Sequence, residues 1–454
     1  MKLHRLWTGV IASAIAGVWL VLAPPAAGQE PEAWSASEVV ALENGFWFDG
    51  ERFRARQAVY IIAGRFETSR PRRFDRRVDL AGGYVISPFG DAHTHHYDSP
   101  FQFPTQRGAD LRAGVFYAMT MTAPALSVAR IRAQFAGPDN VDVRTSLGGI
   151  TGPESHPAEI YEALALGYYT FEQQLAHQAE IRASRSENGN AYHAVSNRDE
   201  LDAAWDRLSG QRPDLVKVYL RSSERYAEGW GRWGPGGGLD PALLPAVAEH
   251  ARGAGLRLAV AVSSVSDYRA ALAAGAALAT HLPCYQDTEI DGADSPYFDA
   301  PADAECQLSR ADSRAAARQR MVSILITSEW AKPLALRGQR YLDWEGRNVA
   351  LLEAAGAPLA IGSNAYGDTV IAGLIEQGQR RLFGVARLLR LATMDTPRAI
   401  FPERRVGCLR SGCEASFLVL EANPLLGMAA IRDIRWRVKD GLLLGAEAIA
   451  PPSE

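Results

Sequence analysis

Apolar and polar residues alternate near both ends of the chain and nowhere else with such regularity. Val39-Val-Ala-Leu-Glu, Gly45-Phe-Trp-Phe-Asp-Gly and Ala58-Val-Tyr-Ile-Ile-Ala-Gly follow one another within 37–83. The pattern returns within 405–447 as Ala415-Ser-Phe-Leu-Val-Leu and Ile434-Arg-Trp-Arg-Val-Lys-Asp-Gly. A period of two broken by Gly and Asp predicts β-hairpins. Between these ends the pattern changes to short continuous apolar runs, at 84–87, 115–121, 141–147, 214–220, 256–263, 277–282, 321–327 and 357–363. Helical stretches at 241–254, 266–274, 310–320 and 339–355 separate several of them. Repeated strand–helix alternation predicts an α/β protein, a (β/α)8 barrel over 84–404. The two ends would form a small composite β-sandwich domain. In such barrels the strand C-termini carry the chemistry.

The first residues read differently. Lys2, His4 and Arg5 precede an apolar run over 6–22, and Ala26-Ala27-Gly28 offers a cleavage point. Residues 1–28 are therefore expected to be an export signal, the alternative being an uncleaved anchor. No second long apolar stretch follows, so no stable membrane insertion is expected after cleavage. Four cysteines lie in the exported part, where disulfides persist. Cys408 and Cys413 flank a turn, and Cys284 and Cys306 bracket a polar loop. Either bridge is reasonable, although three pairings are possible in principle and free thiols remain an alternative. With 47% apolar and 22% charged residues the chain is ordinary globular material. A net charge of −4 without a basic block argues against nucleic acid as a partner.

The candidate chemistry sits at the ends of the predicted strands. His93 and His95 are spaced i, i+2, so in an extended segment both imidazoles face one point. Lys217 lies inside the β-branched run Asp214-Leu-Val-Lys-Val-Tyr-Leu, where a buried amine is costly unless paired or altered. His281 ends Ala279-Thr-His-Leu-Pro, and Asn364 follows Gly362-Ser. Structural readings exist for each: a lysine reaching a rim, or a hydrogen-bonded core histidine.

Taken in order, Val78-Asp-Leu-Ala-Gly-Gly-Tyr-Val-Ile-Ser-Pro-Phe-Gly-Asp-Ala-His-Thr-His, Pro213-Asp-Leu-Val-Lys-Val-Tyr, Ala279-Thr-His-Leu-Pro and Leu391-Ala-Thr-Met-Asp-Thr-Pro-Arg-Ala-Ile-Phe resemble the amidohydrolase superfamily, in its imidazolonepropionase and prolidase-like branch. The resemblance spans about 38–446. It implies a distorted barrel holding one or two divalent metals. His93 and His95 would bind the first metal, and Lys217, carbamylated, would bridge both. Histidines ending the fifth and sixth strands would bind the second, and an aspartate ending the eighth would shuttle protons. This chain departs from that pattern twice: Ala261 stands at the fifth-strand histidine and Asn364 at the eighth-strand aspartate.

The expectation is therefore one divalent ion, zinc, at His93, His95 and Lys217, with His281 nearby and a second metal in doubt. His281 and Asn364 are the catalytic candidates. His156, Tyr219, Arg221, Trp330 and Tyr366 are candidate substrate contacts, and Asp98 and Asp368 are loop carboxylates within reach. Two readings follow. One is an exported hydrolase of an amide or other C–N bond in a small molecule. The other is a catalytically inactive relative that binds a small molecule or partner; a purely structural protein is a third reading.

Overall fold

The computed structural model describes residues 33–228, 238–285, 303–327 and 339–450. The expected export signal and Trp330 lie outside the described residues.

The strands in chain order are β1 (Val40–Phe48), β2 (Phe53–Ile62), β3 (Arg65–Glu67), β4 (Arg76–Asp79), β5 (Tyr84–Ile86), β6 (Phe89–Thr94), β7 (Val115–Thr120), β8 (Asp142–Thr145), β9 (Gly149–Thr151), β10 (Tyr192–Ala194), β11 (Leu215–Tyr219), β12 (Arg257–Ala261), β13 (Leu278–Ala279), β14 (Val322–Ile326), β15 (Leu359–Gly362), β16 (Phe417–Leu420), β17 (Ile434–Lys439) and β18 (Leu442–Leu443). The two chain ends share one eight-stranded sheet, ordered β18-β17-β16-β5-β1-β2-β3 with β4 paired to β1. Its core is separate from the main one and is built around Trp47, Phe66, Phe417 and Trp436.

The middle of the chain is a mixed α/β array of parallel strands. One parallel sheet runs β6-β7-β8, and another runs β10-β9-β11-β12-β13-β14-β15. Backbone bonds join the two sheets at both junctions. Asp214 N donates to Thr145 O at 2.8 Å, and His95 N donates to Ala365 O at 2.9 Å. Strands β7, β11 and β15 are buried at every residue, which is why they read as unbroken apolar runs. Helices close over them with local signals: Ser264 with Asp267, and Ser309 with Asp312, form capping boxes.

Three strands differ from the sequence reading. Two short ones, Gly149–Thr151 and Tyr192–Ala194, lie outside the predicted runs. The run at 84–87 is not the first strand of the parallel array. Tyr84–Ile86 pairs antiparallel with β16 and parallel with β1 in the sheet of the chain ends. The strand that carries His93 is Phe89–Thr94, on the far side of Ser87-Pro88.

Candidate active site

The strand ends bring four of the candidate groups together. His93 lies in β6 and His95 just beyond it, with ring centroids 5.7 Å apart. His281, two residues past β13, places its ring 5.0 Å from that of His93. Lys217 sits in the middle of β11, 1% exposed, with its nitrogen 4.9 Å from the centre of the Tyr219 ring. Its charge acts on both His93 and His281. Asn364 lies beyond β15 in the left-handed region, φ 54°. Close approach of β15 to β6 depends on Gly362, where a Cβ would fall 2.7 Å from that of His93.

The orientation of the imidazoles is set from behind. His93 Nδ1 faces Thr280 O at 3.0 Å, so it donates, and Nε2 keeps the lone pair. His95 Nδ1 meets Asp98 Oδ2 at 3.0 Å. His281 is hydrogen-bonded to the Val262 backbone. Burial, reinforced by the Lys217 charge, pushes His93 and His281 well below the usual histidine range. A neutral ring with its Nδ1 anchored is the form that ligates metals. Burial also pulls the Lys217 amine down to about 7; apart from the Tyr219 face, no ion pair or hydrogen bond to it is found among the described residues.

Other observations limit that donor set. Among the described residues no group of three or more His, Cys, Asp and Glu side chains is arranged to hold a metal ion. Ala261, the last residue of β12, offers no donor. Asn364 directs its amide nitrogen to Tyr285 Oη at 3.0 Å.

His156, Tyr219 and Tyr366 line the same region. The His156 ring meets the Tyr219 ring edge-on at 5.1 Å, and its Nδ1 lies 2.8 Å from Glu159 Oε1. Burial lowers the His156 pKa against the opposing pull of Glu159. The Tyr219 hydroxyl bonds to that of Thr122. Tyr366 stacks on His95 at 4.6 Å. The Arg221 charge reaches the His156–Glu159 pair. The second oxygens of the carboxylates behind His95 and His156, Asp98 Oδ1 and Glu159 Oε2, have no partner among the described residues.

His96 turns away. Its Nδ1 lies 2.9 Å from Asp110 Oδ2, and its Nε2 donates to Asp368 O at 3.0 Å. Asp368 thus contributes a backbone carbonyl to His96. Tyr285 and Glu159 went unread in the sequence. Glu159 sits three residues after His156, a spacing that brings side chains together on a helical turn. No local signal points to Tyr285.

The two candidate bridges are both present. Cys284 and Cys306 are joined with Cα atoms 5.3 Å apart, and Cys408 and Cys413 with Cα atoms 5.9 Å apart.

The same arrangement of strands occurs in solved structures. A. niger ochratoxinase superposes with a TM-score of 0.68 at 15% identity, over 93% of this chain and 98% of that one. Phenylurea hydrolase B gives 0.64 at 15%, over 92% and 98%. A protein described as an amidohydrolase gives 0.62 at 13%, over 89% and 98%. The chain shares the fold of these solved structures. No protein-family profile matches the sequence, and no curated sequence does.

Proposed function

We propose that the chain hydrolyses an amide or other C–N bond of a small molecule at this pocket. The observation that carries the reading is the cluster of His93, His95 and His281 beside a buried lysine that has no carboxylate partner among the described residues. The parallel strands are read as a closed (β/α)8 barrel over 84–404. The shared sheet is read as a small composite β-sandwich from 37–83 and 405–447, with β5 added to it. Residues 1–28 are read as an export signal, in keeping with two disulfides.

A single divalent ion, zinc by its taste for imidazole, fits His93 Nε2, His95 Nε2 and Lys217 better than an ion pair does, since Ala261 removes a ligand. Carbamylation of Lys217 requires a neutral amine, which burial supplies near pH 7. When bound, such an ion acidifies water and polarises a carbonyl. The chain's own groups do the rest. His281, held neutral, can accept or return a proton in the pocket. Asn364 can hold a substrate through its amide but cannot take a proton. Loss of a general base costs roughly 10²–10⁴-fold, so turnover should be slow. Tyr219, Tyr366 and His156 form walls, and Arg221 suits an anionic substituent.

Asn364 and Ala261 support a second reading, an inactive relative that binds a small molecule in the same pocket. Metal content of the purified protein separates the two. About one equivalent of zinc in the wild type, lost in His93→Ala, supports the hydrolase. Absence of metal after metal-replete expression removes it. Restoring Ala261→His with Asn364→Asp should add a second equivalent; no change in metal content would count against the alignment of these positions.

A further inference from the structure

The loop after His281 holds a side chain that the proposed reaction leaves unassigned. Tyr285 stacks on His281, with centroids 4.9 Å apart and planes at 13°. Its hydroxyl oxygen accepts the Asn364 amide at 3.0 Å. One ring thus contacts residues beyond both β13 and β15. Its neighbour Cys284 is bridged to Cys306 across 22 residues of sequence. The Cys284 N–H donates to Ser263 O at 2.8 Å, which ties the loop to the segment after β12. On the other side, Cys306 O accepts Asn348 Nδ2 at 2.8 Å, and the bridge is buried against Trp344.

We propose that Tyr285, held by the Cys284–Cys306 bridge, is the positioning residue for His281 and Asn364. The inference rests on the reading that those two residues belong to the reactive pocket. A neutral amide at 364 has no charge to orient it and depends on a hydrogen-bond partner to choose its rotamer. Tyr285 supplies that acceptor. The stack, together with the bond to the Val262 backbone, sets the plane of the His281 ring. The bridge ties the residue beside the tyrosine to Cys306 and, through it, to Asn348. The order of dependence runs from disulfide to tyrosine to histidine and amide.

Two variants separate the contacts. Tyr285→Phe keeps the stack and loses the acceptor for Asn364. Tyr285→Leu loses both. A third, Cys284→Ser with Cys306→Ser, releases the loop. The first readout is the NMR signal of His281 in protein labelled with 13C at histidine Cε1, assigned through His281→Gln. That signal should shift in Tyr285→Leu, stay near the wild-type position in Tyr285→Phe, and shift in the bridge-free variant. The second readout is hydrolysis of a panel of N-acyl amino acids and aryl ureas. In Tyr285→Leu, kcat should fall about tenfold with little change in KM, within the loss that a misplaced group can cause. Adding Tyr285→Leu to the bridge-free variant should cost nothing more.

An unchanged His281 signal in Tyr285→Leu overturns the proposal, active enzyme or not. Additive losses in the combined variant overturn the tether. A shifted signal in a protein that hydrolyses nothing leaves the positioning role standing and removes the hydrolase reading. Should the bridge-free chain fail to fold, the leucine and phenylalanine variants decide the matter alone.

Discussion

Replacing Lys217 with methionine should make the metal-free protein more stable. The side chain is 1% exposed, and burial pulls its amine from 10.5 down to about 7. At about 1.4 kcal/mol per pKa unit, that difference amounts to roughly 5 kcal/mol held against the fold. The pH dependence has a definite sign. Below pH 7 the amine is charged in both folded and unfolded chains, and the folded state carries the full cost. Between pH 7 and 10.5 the folded chain has released its proton while the unfolded chain keeps it, so wild-type stability rises with pH. The gain from Lys217→Met should therefore shrink from roughly 5 kcal/mol at pH 6 to roughly 2 kcal/mol at pH 9. Methionine fits a lysine-shaped cavity without new polar atoms. The assay is urea unfolding of chelator-treated protein in carbonate-free buffer, so that neither metal nor carbamate masks the amine. A variant that is less stable than wild type, or a difference that does not change with pH, would refute the reasoning. Either result would mean that Lys217 has an anionic partner in the folded chain.

Three further outcomes follow from the same geometry. Gly362→Ala puts a Cβ 2.7 Å from that of His93; it should cost about 1–3 kcal/mol by overpacking, and thermal unfolding should show it together with weaker metal retention. His96→Leu leaves Asp110, 2% exposed, without its cation. A loss of about 3–5 kcal/mol is expected in urea unfolding, and a near-neutral result would show that the His96–Asp110 pair adds nothing to the fold. Cys408→Ser with Cys413→Ser opens a loop with a sequence separation of 5; chain entropy predicts a loss of about 2 kcal/mol, read as a lower melting temperature with metal content unchanged.

The parallel strands were legible because burial on both faces writes itself into a sequence as an unbroken apolar run. The run at 357–363 contains β15, and the run at 256–263 contains β12. The exception is instructive. Tyr84–Ile86 is as apolar as any of these, but its antiparallel partner is Phe417–Leu420, more than three hundred residues later. No local pattern reports such a partner. The strand that follows it, Phe89-Gly-Asp-Ala-His-Thr, lies outside the predicted run because Gly and Asp disfavour strands. Tertiary demands override that preference. A Cβ at Gly90 would lie 3.0 Å from Pro397 N. Asp91 accepts His93 N at 3.1 Å and Ser363 N at 2.9 Å. Burial raises the Asp91 carboxyl to about 6.

The site divides along the same line. His281 was legible because it follows an apolar run, Lys217 because a charge inside such a run is costly, and His93 through its i, i+2 spacing with His95. The residues that orient the histidines and the amide lie off the strands: Asp98 behind His95, Glu159 in the first turn of a helix behind His156, and Tyr285 between His281 and Asn364. Their partners are decided by how loops from different strands meet, which spacing alone does not encode. The buried amine makes a further argument. Lys217 is 1% exposed, and burial pulls its amine down to about 7. An apolar side chain of similar volume would remove that cost, so a role in the fold alone does not account for a lysine at this position. A purely structural role is therefore the weakest of the three readings, and the choice between hydrolase and binder rests on what the absence of a carboxylate at position 364 does to proton transfer.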